Sequence, residues 1–113
     1  MKSRTAAALA AALLIATSAW AHPPREIRLA YDGQDQLTLS VFHGVEDGTK
    51  HFIEKIEVRV GTDVVAERSF SSQTGPEGME AAFSVGRLAS GTTVKVKAQC
   101  NIFGSLEATY QVP

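Results

Sequence analysis

The stretch HFIEKIEVRVGTDVVAERSF, from His51 to Phe70, has the alternation of a β-hairpin. Ile56, Val58 and Val60 are apolar, and the residues between them are charged, so this segment has one apolar and one charged face, as a half-buried strand does. Gly61-Thr62-Asp63 then supplies turn residues, and a second strand-like segment completes the stretch. The stretch therefore predicts two paired strands of an antiparallel sheet.

The same period of two recurs on both sides of this hairpin. Apolar residues share one parity in four further segments, namely Ile27, Leu29 and Tyr31; Leu37, Leu39 and Val41; Val94, Val96, Ala98 and Cys100; and Leu106, Ala108, Tyr110 and Val112. Met79 to Val85 predicts one more short strand, and Asp32-Gly33 and Gly86 to Gly91 predict turns. Ser71 to Gly78 is rich in Ser, Gly and Pro and lacks apolar side chains, which predicts an exposed loop.

Seven short strands separated by turn residues are typical of a two-sheet, immunoglobulin-like β-sandwich. No segment after residue 21 shows a sustained 3.6-residue period, so helices are not expected. The sequence therefore predicts an all-β domain.

The first 21 residues have the pattern of a secretory signal peptide. Lys2 and Arg4 form a basic start, a run of uncharged apolar residues follows, and Ala19-Trp20-Ala21 has the small-x-small pattern at which signal peptidase cuts. The uncharged stretch is at the lower edge of the roughly 17–25 residues that span a membrane, which favours a cleaved leader over an anchor. We therefore expect residues 1–21 to be removed and residues 22–113 to form one periplasmic or secreted domain.

The predicted mature chain is mildly acidic. Without Lys2 and Arg4 it keeps nine of the eleven basic residues against twelve acidic ones, a formal charge of about −3. This balance argues against nucleic acid or an anionic membrane surface as a partner. Exported domains of this size often depend on a disulfide or a metal, because the core is small.

Cys100 is the only cysteine, so the chain cannot form an internal disulfide. An unpaired cysteine in an oxidising compartment is buried, paired with another chain in an oligomer, or bound to a metal. Parity places Cys100 on the apolar face of its strand, where it is either a small apolar filler or a ligand.

Two of the three histidines border the loop between the second and third predicted strands. His43 ends one strand, His51 precedes the next and Cys100 ends another, so a sandwich can bring all three to one edge. Imidazole and thiolate bind iron, copper and zinc, whereas calcium and magnesium prefer oxygen ligands. The pattern predicts a metal site formed by His43, His51 and Cys100.

Two motifs resemble those of the iron domain of superoxide reductases, the desulfoferrodoxin family. HFIEKIEV follows an upstream histidine, and CNIFGS precedes the last strand. The family has a histidine, a short loop and His-(Phe/Tyr)-Ile-x-x-Ile-x-Val, and near the C-terminus Cys-Asn-x-His-Gly. The resemblance extends from about His22 to the end of the chain.

The resemblance implies a seven-stranded sandwich holding one non-haem ferrous iron, with four equatorial histidines, an axial cysteine thiolate and an open sixth position that reduces superoxide to hydrogen peroxide. By position, His43 and His51 match equatorial ligands and Cys100 matches the axial one. Phe103 stands where the family has a histidine, and the family's N-terminal Glu-Lys-His segment is missing. Lys50 is the candidate residue for attracting the superoxide anion.

His22 is the remaining histidine, and cleavage after Ala21 makes it the N-terminal residue. Its ring and its free α-amino group then form a pair of nitrogens that can chelate a metal, copper included. The alternative is that His22 merely follows the cleavage site. Either interpretation is compatible with the sequence.

Three functions are compatible with these residues. The first is an exported superoxide reductase-like iron protein that exchanges electrons with a redox protein. The second is a metal-binding or electron-transfer protein, with copper or iron, that catalyses nothing. The third is a metal-free carrier or interaction domain, similar to the sandwich subunits of periplasmic sulfur-oxidation systems, in which Cys100 fills the core and Phe103 packs beneath it.

Overall fold

Strands form where apolar and polar side chains alternate. The computed structural model describes residues 22–113, and the predicted signal peptide lies outside the described residues. The strands are β1 (Glu26–Tyr31), β2 (Gln36–Phe42), β3 (Ile53–Val60), β4 (Asp63–Ser69), β5 (Gly78–Ser84), β6 (Thr93–Cys100) and β7 (Ser105–Gln111). The predicted all-β fold with seven strands is confirmed.

The strands form two antiparallel sheets, as in a β-sandwich. One sheet has the order β1-β2-β5 and the other the order β4-β3-β6-β7. The predicted hairpins, β1-β2 and β3-β4, are both present. Within residues 22–113 no helix is long and apolar enough to cross a membrane.

The core lies between the sheets and contains alternate residues of the strands, and the bulge in β3 puts Ile53 on the buried face with Ile56 and Val58. Its buried members are Leu37, Leu39, Val41, Ile53, Ile56, Val58, Met79, Phe83, Val94, Val96, Ala98 and Val112. Cys100 ends the same buried row of β6 and is 4% exposed, as parity predicts. Removal of these side chains from water is the main favourable term in the stability of such a domain.

One edge of the sandwich gathers the ends of β2 and β6 and the start of β3. Ile53 of β3 pairs with Cys100 of β6, and a bulge follows immediately in the ladder, between Ile53 and Lys55. Since β2 belongs to one sheet and β3 to the other, the segment from His43 to Phe52 connects the two sheets at this edge. Bulges of this kind redirect side chains at the ends of strands.

The segment before β5 continues the pairing of the three-stranded sheet beyond β2. The N–H of His43 donates to the carbonyl of Glu77 (2.9 Å), and the N–H of Val45 donates to that of Pro76 (2.8 Å). Gly78 lies opposite Phe42, and a Cβ at Gly78 would overlap the carbonyl oxygen of Val41. The close approach of the two strands therefore requires glycine at position 78.

Gly78→Ala is expected to lower the free energy of unfolding by about 1–3 kcal/mol, because the added methyl group forces β5 away from β2. Gly44→Ala is the matched control, since a Cβ there meets no atom within 4 Å. Its expected effect is below about 0.5 kcal/mol. Urea denaturation measures both, and equal losses would contradict the assigned contact.

Candidate metal centre

The loop between β2 and β3 is held in shape by Asp47. Its carboxylate accepts hydrogen bonds from the N–H (2.9 Å) and the hydroxyl (2.6 Å) of Thr49, and its carbonyl accepts from the N–H of Lys50 and of His51. The hydrogen bonds from Thr49, side chain first, lower the pKa of Asp47. The resulting turn brings His51 back beside His43.

His43, His51 and Cys100 lie together at this edge. One ligand atom from each of the three residues lies within 4.8 Å of the other two. Nε2 of His51 is 3.2 Å from Sγ of Cys100, and the rings of His43 and His51 meet edge to face with centroids 4.7 Å apart. The structure thus brings together three of the residues predicted as ligands, and their binding of a metal stays a prediction.

The spacing of these atoms fits a single ion. With metal–ligand bonds of about 2.1 Å to nitrogen and 2.3 Å to sulfur, two ligands at a right angle around the metal lie about 3.1 Å apart. The His51 nitrogen and the Cys100 sulfur are 3.2 Å apart. The distance between these two atoms is therefore one that two ligands of a single metal can have.

Gln73 determines which nitrogen of His43 faces the site. Its amide nitrogen donates to two carbonyl oxygens, those of His43 (3.1 Å) and Gly75 (3.0 Å). Its Oε1 therefore faces Nδ1 of His43 and can only accept, so Nδ1 carries the proton. The neutral ring then presents an Nε2 lone pair, which is the form that binds a metal.

Nε2 of His43 faces the carbonyl oxygen of His22 at 3.2 Å. This contact places the main chain of residue 22 next to the candidate ligand atom of His43.

His22 lies beside the cluster. Its ring centroid is 5.1 Å from that of His43 and 5.6 Å from that of His51. Its ring nitrogens contact the carbonyl oxygens of Pro23 (2.9 Å) and Gly44 (3.1 Å), so they are directed away from the other ligand atoms. The structure places His22 near the predicted site without aligning its ring to a shared ion.

Asn101 connects the turn after β6, which follows Cys100, to the β2–β3 loop, which contains His51. The side chain of Asn101 accepts from the N–H of Phe52 (2.9 Å) and donates to the carbonyl of Lys50 (3.0 Å). The N–H of Ile102 approaches Sγ of Cys100 at 3.4 Å, a contact that stabilises negative charge on sulfur. Asn101 therefore holds the thiol and the imidazole in register.

Phe103 does not pack beneath Cys100. It is 59% exposed, and its neighbour Ile102 is 54% exposed. The packing that the metal-free hypothesis expected is therefore wrong, because the turn after β6 directs residue 103 to the surface. Phe103 also leaves no protein ligand at the position of the family's histidine.

Burial lowers the pKa of His51, and electrostatic coupling to the neighbouring imidazoles of His43 and His22 lowers it further. The direction has a physical cause, since removal from water and nearby like charge both disfavour the imidazolium form. The lowered pKa favours the neutral imidazole, which is the form that binds a metal.

A cleft of about 610 Å³ lies beside the cluster and has His22 and His51 in its wall. Lys50, Glu46 and Asp47 line its charged side, and Val45, Pro76 and Ile102 are among the apolar residues that line it. The predicted anion-attracting residue, Lys50, therefore lines the same cleft as His51.

Gln73 was missed by sequence reasoning, and the segment that contains it is not wholly exposed as predicted. Gln73 is 9% exposed and lies against His43, because the segment folds under the β2–β3 loop. A glutamine among Ser, Gly and Pro carries no periodic signal, so nothing in the local sequence distinguishes it from a solvated residue.

The fold is similar to that of superoxide reductases of known structure. The superoxide reductase (1Fe-SOR) from Giardia intestinalis is 16% identical, with 80% of this chain and all of that chain covered and a TM-score of 0.61. A variant of the superoxide reductase (neelaredoxin) from Ignicoccus hospitalis is 16% identical, with 80% of each chain covered and a TM-score of 0.59. A variant of the enzyme from Archaeoglobus fulgidus in the reduced form is 18% identical, with 85% of this chain and 91% of that chain covered and a TM-score of 0.56.

No protein-family model and no curated protein sequence matches this chain significantly. The structural matches therefore show a shared fold, and they confirm at this level the resemblance predicted from the two sequence motifs.

Replacing Gln73 with methionine is expected to weaken metal binding about 10- to 100-fold, because Nδ1 of His43 loses the acceptor that fixes its tautomer. Titration with Co²⁺, followed by absorbance, measures the affinity. The free energy of unfolding of the metal-free variant is expected to be about 1–3 kcal/mol lower, since the buried Nδ1–H of His43 is left without an acceptor.

Gln34→Met is the matched control, because Gln34 is exposed in the β1–β2 turn. Its metal affinity and stability should equal those of the parent chain. Parent-like affinity in Gln73→Met would show that Gln73 does not orient a ligand.

Proposed function

We propose that the chain is an exported mononuclear metal-binding protein of the superoxide reductase type, with iron as its metal. The observation that carries the proposal is the meeting of His43, His51 and Cys100, one ligand atom from each within 4.8 Å, at one edge of this fold. The similarity to superoxide reductases supports the choice of chemistry.

The donor set favours a transition metal. Two imidazoles and a thiolate suit iron, copper or zinc, and oxygen-preferring cations would find no carboxylate in the cluster. His43 and His51 would bind through neutral imidazoles. Cys100 would bind as a thiolate, which donates electron density to the metal and adjusts its potential.

Iron bound here would supply one electron to superoxide, which takes up two protons and becomes hydrogen peroxide. The chain's own residues attract the superoxide anion, admit it to the cleft and orient the metal ligands. Lys50 attracts the anion into the cleft beside His51, and Gln73 holds His43 with Nε2 toward the site. Each superoxide consumes one electron, so a redox protein must restore the reduced state.

Protein loaded with ferrous iron is expected to bind about one iron per chain and, after oxidation, to show a thiolate-to-iron charge-transfer band. Cys100→Ser should abolish the band, because Cys100 is the only cysteine. Metal analysis and visible absorbance measure both quantities. Absence of iron binding, or a band that persists in Cys100→Ser, would refute the proposal.

Lys50→Met is expected to slow superoxide consumption about 2- to 10-fold at low ionic strength, with the difference disappearing as salt is added. Lys97→Met is the control, because Lys97 lies on β6 outside this cleft. Stopped-flow measurement gives the rates, and Lys50→Met should leave the charge-transfer band unchanged. If Lys97→Met slowed the reaction equally, net charge and not position would be responsible.

A metal-binding protein without turnover is the second candidate, and the exposure of Phe103 favours it. With Phe103 directed to solvent, the cluster contains fewer histidines than the family's four. Iron or copper could then serve electron transfer alone. Metal-loaded protein with the Cys100-dependent band that leaves superoxide untouched would select this function.

A further inference from the structure

The main chain of His22 is fixed at the metal centre by the residues that follow it. Pro24 is buried, and the N–H of Arg25 donates to the carbonyl of Phe42 at 2.7 Å. Pro23 packs against Gly104 so closely that a Cβ at Gly104 would lie 2.9 Å from Cβ of Pro23. None of these contacts involves a residue before His22, so a chain that starts at His22 can make all of them.

Position 22 therefore presents its backbone to the cluster. The carbonyl oxygen of His22 is 3.2 Å from Nε2 of His43, and the backbone nitrogen of the same residue is two bonds from that carbonyl carbon. In a chain that starts at His22, rotation about the single Cα–C bond moves the nitrogen and the side chain while Pro23 stays in place. The nitrogen can thus be brought toward the candidate ligand atoms of His43 and His51.

We propose that the free α-amino group of His22, created by cleavage after Ala21, binds the metal together with the His22 ring. This inference rests on the proposed function of the same site. Before cleavage the nitrogen belongs to a peptide bond, and its lone pair is delocalised into the carbonyl, so it is a poor ligand. After cleavage it is an amine with a lone pair of its own.

The ring of His22 can join the amine at little cost. Its two nitrogens face two carbonyl oxygens, but a neutral imidazole has one N–H and serves only one of them. Rotation of the ring therefore gives up a single exposed hydrogen bond. Once the amine is bound, the ring on the same residue meets the ion at high effective concentration.

The chelate restores the number of ligands that the family resemblance implies, because its two nitrogens replace the histidine lost at Phe103 and the one lost with the family's N-terminal segment. His43, His51 and Cys100 supply three protein ligands, and His22 adds two nitrogens. Removal of the leader then completes the site, so the exported chain binds the metal much more tightly than its precursor.

The test compares two chains made with defined N-termini, one starting at His22 and one at Ser18. The second keeps the His22 ring and replaces the amine with a peptide bond. Co²⁺ is the probe, because it does not displace protons from backbone amides as Cu²⁺ does. Absorbance titration gives the affinity, and the sulfur-to-cobalt band reports binding by Cys100.

The chain that starts at His22 is expected to bind Co²⁺ at least about 10-fold more tightly than the chain that starts at Ser18. A third chain, carrying His22→Ala at the N-terminus, keeps the amine without the ring and should have an intermediate affinity. Circular dichroism of the metal-free proteins checks that all three fold alike.

Equal or tighter binding by the Ser18 chain, with a band that Cys100→Ser removes, would overturn the His22 chelate and leave the proposed function intact. No Cys100-dependent binding in any chain would instead refute the metal site itself. The two failures are therefore distinguishable.

Discussion

The contact between Gln73 and His43 is the interaction on which the arrangement of this edge depends. His43 is fully buried where an apolar sandwich ends, and a buried imidazole is costly unless its nitrogens have partners. Gln73 supplies one partner and is itself fixed by two carbonyl oxygens. Gln73 thus anchors the segment before β5 and offsets the unfavourable free energy of burying His43. It also selects the tautomer of His43 in which Nε2 carries a lone pair.

The rest of the edge is organised by similar ties between segments far apart in the chain. Asp47 shapes the β2–β3 loop, and Asn101 connects that loop to the turn after β6. Loops on a rigid sheet are where sites are usually built, and here the hydrogen bonds between loops keep a nitrogen and a sulfur at a spacing suited to one ion. The two sheets hold the loops in place, and the polar side chains set the distances between the candidate ligand atoms.

The chain combines the fold of superoxide reductases with its own set of candidate ligands. Its fold is that of superoxide reductases, yet identity to those structures is below 20% and Phe103 is directed to solvent where the family has a histidine. A fold constrains where ligands can be placed, and the ligands decide the chemistry. The proposed function therefore depends on the few residues at this edge.

Local patterns in the sequence determined the strands, the two hairpins and the inward position of Cys100, because alternation directly records which face of each strand is buried. They also pointed to His43, His51 and Cys100, since strand ends can meet at one edge of a sandwich. Only the tertiary structure revealed Gln73, the bridging role of Asn101 and the outward direction of Phe103. Gln73 and Asn101 act through contacts with residues 30 and 49 positions away in the chain, and the direction of Phe103 depends on the path of one turn. Neither kind of feature produces a periodic pattern in the sequence.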